Sequence, residues 1–373
     1  MKLDADWLHH SALQDICATL TGAGHQAWFV GGCVRNAVIG GGATDVDMAT
    51  DATPAQVKAA LSGLRTVDTG IDHGTITVLT AQGPVEITTF RRDVETDGRH
   101  ARVVFGTDLA EDAARRDFTM NALYAAPDGT LADPVGGLPD ALSGTVRFIG
   151  DAPTRIREDY LRILRFFRFH AWYGEAGAID ADGLAACAEL ADGIEGLSRE
   201  RVGAEMRKLL SAPDPAPAIA AMAQSGVLLR ILPGAGLGTL PALVHIEGLM
   251  ALPPAPMRRL AAIGGEDAAR LLRLSNAEAR VLAQMQNPQP LHEAAYRYGA
   301  DIALDMAVIT YASLSQMPPA DLRARAGWAA AQKFPLKSSD LPLSGPALGQ
   351  ALRAAEARWI ASDFSLGKDE LKG

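Results

Sequence analysis

The sequence predicts an α+β protein, a small mixed sheet with accompanying helices followed by an all-α remainder. Three observations carry this reading. Up to about Gly150, short β-rich runs alternate with helical stretches. From Pro153 onward the strand signals vanish, and Ala, Leu, Arg and Glu dominate with apolar residues at helical spacing, as in YLRILRFFRFHAW and ERVGAEMRKLL. At 373 residues the chain also exceeds one ordinary core and should divide into two or more domains. The composition shift near Asp151-Ala152-Pro153 sets the first boundary, so we expect domains over residues 1–150, 151–212 and 213–373.

In chain order, AWFV gives a first strand and TDVDMAT a second, with a helix from Val34 to Ile39 between them. TITVLT and PVEITTF form a hairpin, and TVRFIG a last strand before the boundary. Beyond it a helix is expected from about Thr154 to Tyr173 and another over Leu197 to Leu210. The stretches Pro213–Pro217, Pro253–Pro256 and Pro288–Pro290 read as helix-to-helix connections.

Composition excludes several classes. The hydrophobic share of 48% beside 21% charged residues is that of a globular chain. The longest uncharged run, Ile16 to Val34, is interrupted by Gly, Thr, His and Gln, so no membrane span is expected. The start MKLDADWLHHSALQDI has acids and histidines where a signal peptide needs a basic start and an apolar run, which points to the cytoplasm. The three cysteines are far apart and odd in number, suggesting buried thiols rather than a disulfide framework or a zinc site. A net charge of −9 confines any nucleic-acid site to a local region.

The stretch WFVGGCVRNAVIGGGATDVDMAT concentrates the chemistry. Gly31-Gly32 turns the backbone without a Cβ in the way, and the helix start that follows points N–H groups at an anion. Arg35 adds a forked donor that suits phosphate oxygens. Side chains alternate along a strand, so Asp45 and Asp47 share a face with Val46 on the other. Paired carboxylates repel each other, and a hard divalent cation is the usual reason to hold both ionised. Mg²⁺, bound by one or two carboxylates with substrate phosphates completing its shell, fits best. A Gly pair alone is a turn and Asp-x-Asp alone a strand end; together in this order they read as a metal–nucleotide site. On the hairpin, Glu86 either approaches that metal or is a rim glutamate on an edge strand.

Four motifs then stand in register. GGxVR with DxD is Gly31, Gly32, Val34, Arg35, Asp45 and Asp47; RRDFTxNA runs from Arg115 to Ala122; DPxGG spans Asp133 to Gly137; and EDxxRxxRxxRF is Glu158, Asp159, Arg162, Arg165, Arg168 and Phe169. With these the chain resembles the class II tRNA nucleotidyltransferase and bacterial poly(A) polymerase family, whose catalytic head is DNA polymerase β-like. It departs at Asn36, where the family commonly has Asp. The stretch Arg91 to Phe105 resembles the family's mobile loop, LSRERVGAEMRKLL its last motif and FPLKSSDLPLSGPALGQALRAAEARWI the tail of its bacterial members.

The resemblance implies a catalytic head, a helical neck that reads the nucleotide base, and a helical body and tail that bind RNA. It implies that Gly32, Arg35 and Arg116 contact the nucleotide, and that Asp117 and Asn121 fix the local turn and the sugar. A plain surface helix start would also explain ARRD. Asp159, Arg162 and Arg165 are spaced by three along one helical ridge with Arg168 a turn further, a spacing that ordinary i,i+3 and i,i+4 pairs with Glu158 and Asp159 would also produce. Cytosine and adenine both present an amino donor beside a ring-nitrogen acceptor. An aspartate and an arginine match that edge, whereas uracil and guanine would leave buried groups unpaired at about 1–3 kcal/mol each. Asp159 and Arg162 are therefore expected to choose CTP and ATP, with Arg165 and Arg168 at phosphates or holding the aspartate. In the last motif, Ser198 is expected to cap the helix, with Arg201, Glu205 and Lys208 on its solvent side. The expected reaction is in-line attack by the tRNA 3′-hydroxyl on the α-phosphorus, with two Mg²⁺ ions held by Asp45 and Asp47. Poly(A) synthesis, addition of only part of CCA, and an inactive RNA-binding module remain the competing readings.

Overall fold

Along Gly83–Thr89 every second side chain is buried, Val85, Ile87 and Thr89, while Pro84 and Glu86 face outward; this period of two makes the segment a strand with one face on the core. The computed structural model describes residues 1–42, 45–70, 74–97, 100–175 and 179–372. Among them, Met1–Glu205 with Pro217–Ile231 form one unit and Met206–Ala216 with Leu232–Gly373 form another.

The first unit opens with helix α1 (Ser11–Gly22), strand β1 (Trp28–Val30), α2 (Gly32–Val38), β2 (Asp47–Thr50), α3 (Pro54–Ala60), β3 (Arg65–Gly70), β4 (Thr75–Thr80) and β5 (Gly83–Thr89). A separate hairpin, β6 (Arg91–Asp97) and β7 (His100–Phe105), occupies the stretch expected as a loop. Then come α4 (Leu109–Ala114), the short β8 (Tyr124–Ala125) and β9 (Leu131–Ala132), and α5 (Leu138–Ser143). The seven-stranded sheet has the order β3-β4-β5-β2-β1-β8-β9, with β2 and β5 parallel and the other neighbours antiparallel, so it is mixed. Val30, Ala49, Phe90, Ala113, Ala122, Tyr124 and Ile149 form a core cluster here.

Two expectations need correction. TVRFIG is not a strand; it makes a single bridge, Phe118 to Phe148, with backbone bonds from Thr119 N to Arg147 O and Ile149 N to Asp117 O. Its apolar residues serve an aromatic cluster instead, in which Phe148 meets Phe118 at 5.0 Å and stacks on Phe166 at 5.5 Å. The single helix expected from Thr154 is also two, α6 (Ala152–Glu158) and α7 (Leu161–Tyr173), because Asp159 adopts extended angles of φ −157° and ψ 106°. Its carboxylate accepts from Leu161 N at 3.1 Å, a local bond that competes with helix continuation. Next follow α8 (Ala181–Glu189) and α9 (Arg199–Leu210).

The second unit is built of helices, among them Leu240–Leu249, Pro256–Ile263, Asn276–Met285, Ala300–Ser313 and Gly345–Ala361. Ser275 starts one of them with a capping box to Glu278. Within it the buried Glu247 accepts from Arg258 Nε at 2.7 Å and from Arg259 Nε at 2.9 Å, and Arg259 also donates to the carbonyls of Leu210 and Pro213. Among the described residues no helix is long and apolar enough to cross a membrane.

Candidate active site

Gly31 ends β1 at φ +74°, a left-handed value that favours glycine, and α2 starts at the next residue. Antiparallel pairing with β1 sets Asp47, the first residue of β2, opposite Val30. Parallel pairing with β5 sets Glu86 beside Asp47, on an interior strand rather than an edge. Asp45 lies before β2, in an exposed bend rather than in the strand itself. Burial first, then the charges of Glu86 and Asp45, push the Asp47 carboxyl up to about 6, with Arg116 pulling the other way. Two carboxylates and one guanidinium thus act on Asp47, opposite the strand that ends in the glycine turn.

Among the described residues no group of three or more His, Cys, Asp or Glu forms a ready metal cage. The donor set nevertheless suits a hard cation: all are carboxylate oxygens, their mutual repulsion would be relieved by a positive ion, and Mg²⁺ asks the protein for only one or two of them.

A second cluster ties α2 to α7 through the RRDFT segment. Arg35 is buried, and its nitrogens donate to Asn36 Oδ1, to Asn121 Oδ1 and to the Tyr173 hydroxyl at 2.7 Å, with the guanidinium 3.9 Å from the Tyr173 ring centre. In this arrangement Arg35 braces the turn rather than facing outward to a phosphate. Asn121 donates to Asp117 Oδ1, which also accepts from Phe118 N, while Asp117 Oδ2 accepts from Arg165 Nε at 2.8 Å. Burial opposes the Asp117 charge, but Arg165 and Asn121 outweigh it and hold the carboxyl below its ordinary range. Gly137 of the DPxGG turn packs so closely that a Cβ there would stand 2.1 Å from the Thr119 carbonyl oxygen.

The ridge expected to read the base has its side chains committed elsewhere. Asp159 Oδ2 accepts from Arg201 Nη2 at 2.6 Å beside a cavity of about 360 Å³ that Tyr160, Gly193 and Leu197 also line. Arg162 pairs with Glu158 and donates to Arg155 O at 2.6 Å. Arg168 pairs with Glu205 at 2.6 Å, so Glu205 is buried rather than on the solvent side of α9; an opposing arginine is what makes its burial tolerable. Asp112, Tyr124 and Tyr173 are site neighbours that motif reading passed over, and Arg201, expected on the solvent side of α9, instead pairs with Asp159. Only Asp112 left a signal in the sequence, its i,i+4 spacing to Arg116.

Residues 27–147 match the poly(A) polymerase head domain, and residues 178–236 match the probable RNA- and SrmB-binding site of polymerase A. Over these two segments, together a little under half of its length, the chain is similar to poly(A) polymerases. It is 46% identical over 190 residues to the mitochondrial CCA tRNA nucleotidyltransferase 1 of Homo sapiens, covering 50% of this chain and 44% of that one. It is 40% identical over 223 residues to a CCA-adding enzyme of Leuconostoc citreum, covering 59% and 54%. The matched part thus spans about half the length of these curated relatives. Over most of both chains, 95% and 93%, the fold resembles the Bacillus stearothermophilus CCA-adding enzyme in complex with CTP, with a TM-score of 0.75 and 29% identity. A Thermotoga maritima CCA-adding enzyme complexed with tRNA shares the fold at a TM-score of 0.68 and 17% identity, over 100% and 98%.

Proposed function

We propose that this chain adds C, C and A to the 3′ end of tRNA without a nucleic-acid template, using CTP and ATP and releasing pyrophosphate. The observation that carries nucleotidyl transfer is the crowding of Asp45, Asp47 and Glu86 beside the Gly31 turn, with the Asp47 carboxyl pushed up to about 6. The choice of tRNA, CTP and ATP is supported by the relatives' names and by the CTP and tRNA complexes of similar folds. In the reaction the RNA 3′-hydroxyl oxygen gives up its proton to water and forms a bond to the α-phosphorus, while the bond from that phosphorus to the oxygen bridging to the β-phosphate breaks and pyrophosphate leaves with that electron pair. Asp45 and Asp47 would hold Mg²⁺, which when bound lowers the hydroxyl pKa and neutralises the leaving charge.

The protein's own groups position the reactants. Gly32 and Arg116 meet the phosphates, and Arg35, Asn121, Asp117 and Arg165 lock the turn on which they sit. Asp159 and Arg162 choose the base by exchanging Arg201 and Glu158 for its Watson–Crick edge, while Arg168 steadies the helix through Glu205. We assign residues 1–150 to the catalytic head, 151–212 to the neck and 213–373 to an RNA-bearing body and tail. Three buried free thiols, Cys17, Cys33 and Cys187, suit a reducing compartment, the cytoplasm in this reading.

The test is to incubate the chain and Mg²⁺ with a tRNA transcript lacking CCA and read product lengths. Two residues added with CTP and three with CTP plus ATP support CCA addition. A long ladder with ATP alone would reassign the chain to poly(A) synthesis, and no extension with any nucleotide would leave only RNA binding.

A further inference from the structure

We infer that Asp112 and Tyr124 are positioning residues that aim one nitrogen of Arg116 at the phosphates of the incoming nucleotide, a role that rests on the nucleotidyl-transfer reading above. Asp112 lies on α4, four residues before Arg116, and is 1% exposed. Its Oδ1 accepts from Arg91 N at 3.3 Å and from Arg115 Nε at 2.9 Å and Nη2 at 2.6 Å. Its Oδ2 accepts from Arg116 Nη2 at 3.0 Å and from the Tyr124 hydroxyl at 2.7 Å. That hydroxyl in turn accepts from Arg116 Nε at 3.0 Å, so carboxylate, phenol and guanidinium close a ring. Tyr124 is itself fixed, fully buried on β8 and paired with Val30 of β1.

A guanidinium is planar, so holding Nε and Nη2 fixes the direction of Nη1. That nitrogen has no hydrogen-bond partner among the described residues and lies 3.7 Å from where a Cβ on Gly31 would stand. Its charge also acts on Asp47. A forked cationic donor held over a glycine turn, next to carboxylates, suits a phosphate oxygen. The charge count agrees. A single Arg–Asp pair would cancel, but Asp112 is shared by Arg115 and Arg116, so these three groups keep one net positive charge, which Asp47 and an incoming anion both feel. A purely structural ion pair would need neither the second arginine nor the outward nitrogen.

The test uses the full chain with Mg²⁺ and compares wild type, Tyr124→Phe, Arg116→Ala and the double variant by calorimetric titration with CTP and with CMP. Tyr124→Phe keeps the buried ring and removes only the hydroxyl. It should weaken CTP binding on the order of tenfold, the loss of one hydrogen bond to a charged group, and leave CMP binding unchanged. The double variant should bind CTP no more weakly than Arg116→Ala alone, because Tyr124 acts through Arg116. Asp112→Asn should repeat the pattern with a larger loss. Wild-type affinity in Tyr124→Phe, equal losses for CTP and CMP, or additive losses in the double variant would each overturn the assignment. The tRNA reading is separable: a chain that shows this CTP pattern yet extends no tRNA transcript keeps the assignment and loses the substrate.

Discussion

The carboxylate mouth and the arginine ridge of α7 treat charge in opposite ways. At the mouth, Asp47 sits among like charges, Glu86 beside it and Asp45 two residues before, with Arg116 as the counterweight, and its carboxyl rises to about 6. Along α7 each arginine meets an acid: Arg162 with Glu158, Arg165 with Asp117, Arg168 with Glu205. One region stores electrostatic tension that a cation would relieve; the other has already relaxed into ion pairs that hold helices and turns together. Both look alike in a sequence, as clusters of charge at regular spacing. The sign of the neighbours, which only folding supplies, separates a binding site from a brace.

The comparison breaks most visibly at the mouth. Asp45→Ala or Asp47→Ala should reduce nucleotide transfer by on the order of 10³-fold or more, measured as product formed per time on a CCA-lacking transcript, with transcript binding retained. Removing the repelling Asp47 carboxylate should not lower the melting temperature; retained activity in either variant, or a clear loss of stability in Asp47→Ala, would place the residue among the braces. On the ridge the opposite is expected. Arg165→Ala leaves the Asp117 carboxylate buried without its cation and should cost roughly 3 kcal/mol in denaturant unfolding. A change under about 1 kcal/mol, the range of exposed pairs, would show that the ridge is not a brace.

Arg162 tests the boundary between the two behaviours. If it leaves Glu158 to read a base, Arg162→Ala should narrow the preference for CTP and ATP over UTP and GTP by about 1–3 kcal/mol, read as relative kcat/KM. Unchanged selection would return Arg162 wholly to structure. The smallest effect belongs to the second unit, where Arg207 and the Ser275 cap hold the half-buried Glu278 carboxyl down at about 2. A depressed carboxyl contributes stability above its unfolded value of about 4.3 and loses it as pH falls toward 2. Glu278→Gln should therefore flatten that part of the stability profile, and an unaltered acid limb would show that the pair contributes nothing.

The strands of the first half and the helical second half could be read from the sequence because period and turn residues are local properties. Thus Thr75–Thr80 is the strand that TITVLT announced. The reading failed where a local pattern serves a distant partner. TVRFIG has strand composition, but Phe148 is needed against Phe118 and Phe166. The two residues of β8 are too few to show a period. The motif residues of the head were visible as motifs. What they touch was not: Arg35 was read as a phosphate donor because arginine at a glycine turn usually is one, and nothing local announced Tyr173, 138 residues on, as its partner. Asp112 drew no reading from the sequence because its burial depends on Tyr124 and on two arginines folding over it.

Asn36 shows what one amide adds. Its oxygen accepts from Arg35, as an aspartate's would, but its nitrogen donates to the Gly42 carbonyl at 3.0 Å, which an ionised aspartate cannot do. Gly40, Gly41 and Gly42 are the residues that lose most conformational freedom on ordering, and they lead directly toward Asp45. The departure from the usual residue of the family it resembles thus works as a tether, holding the end of a run of three glycines to a narrower set of conformations than its composition alone would allow.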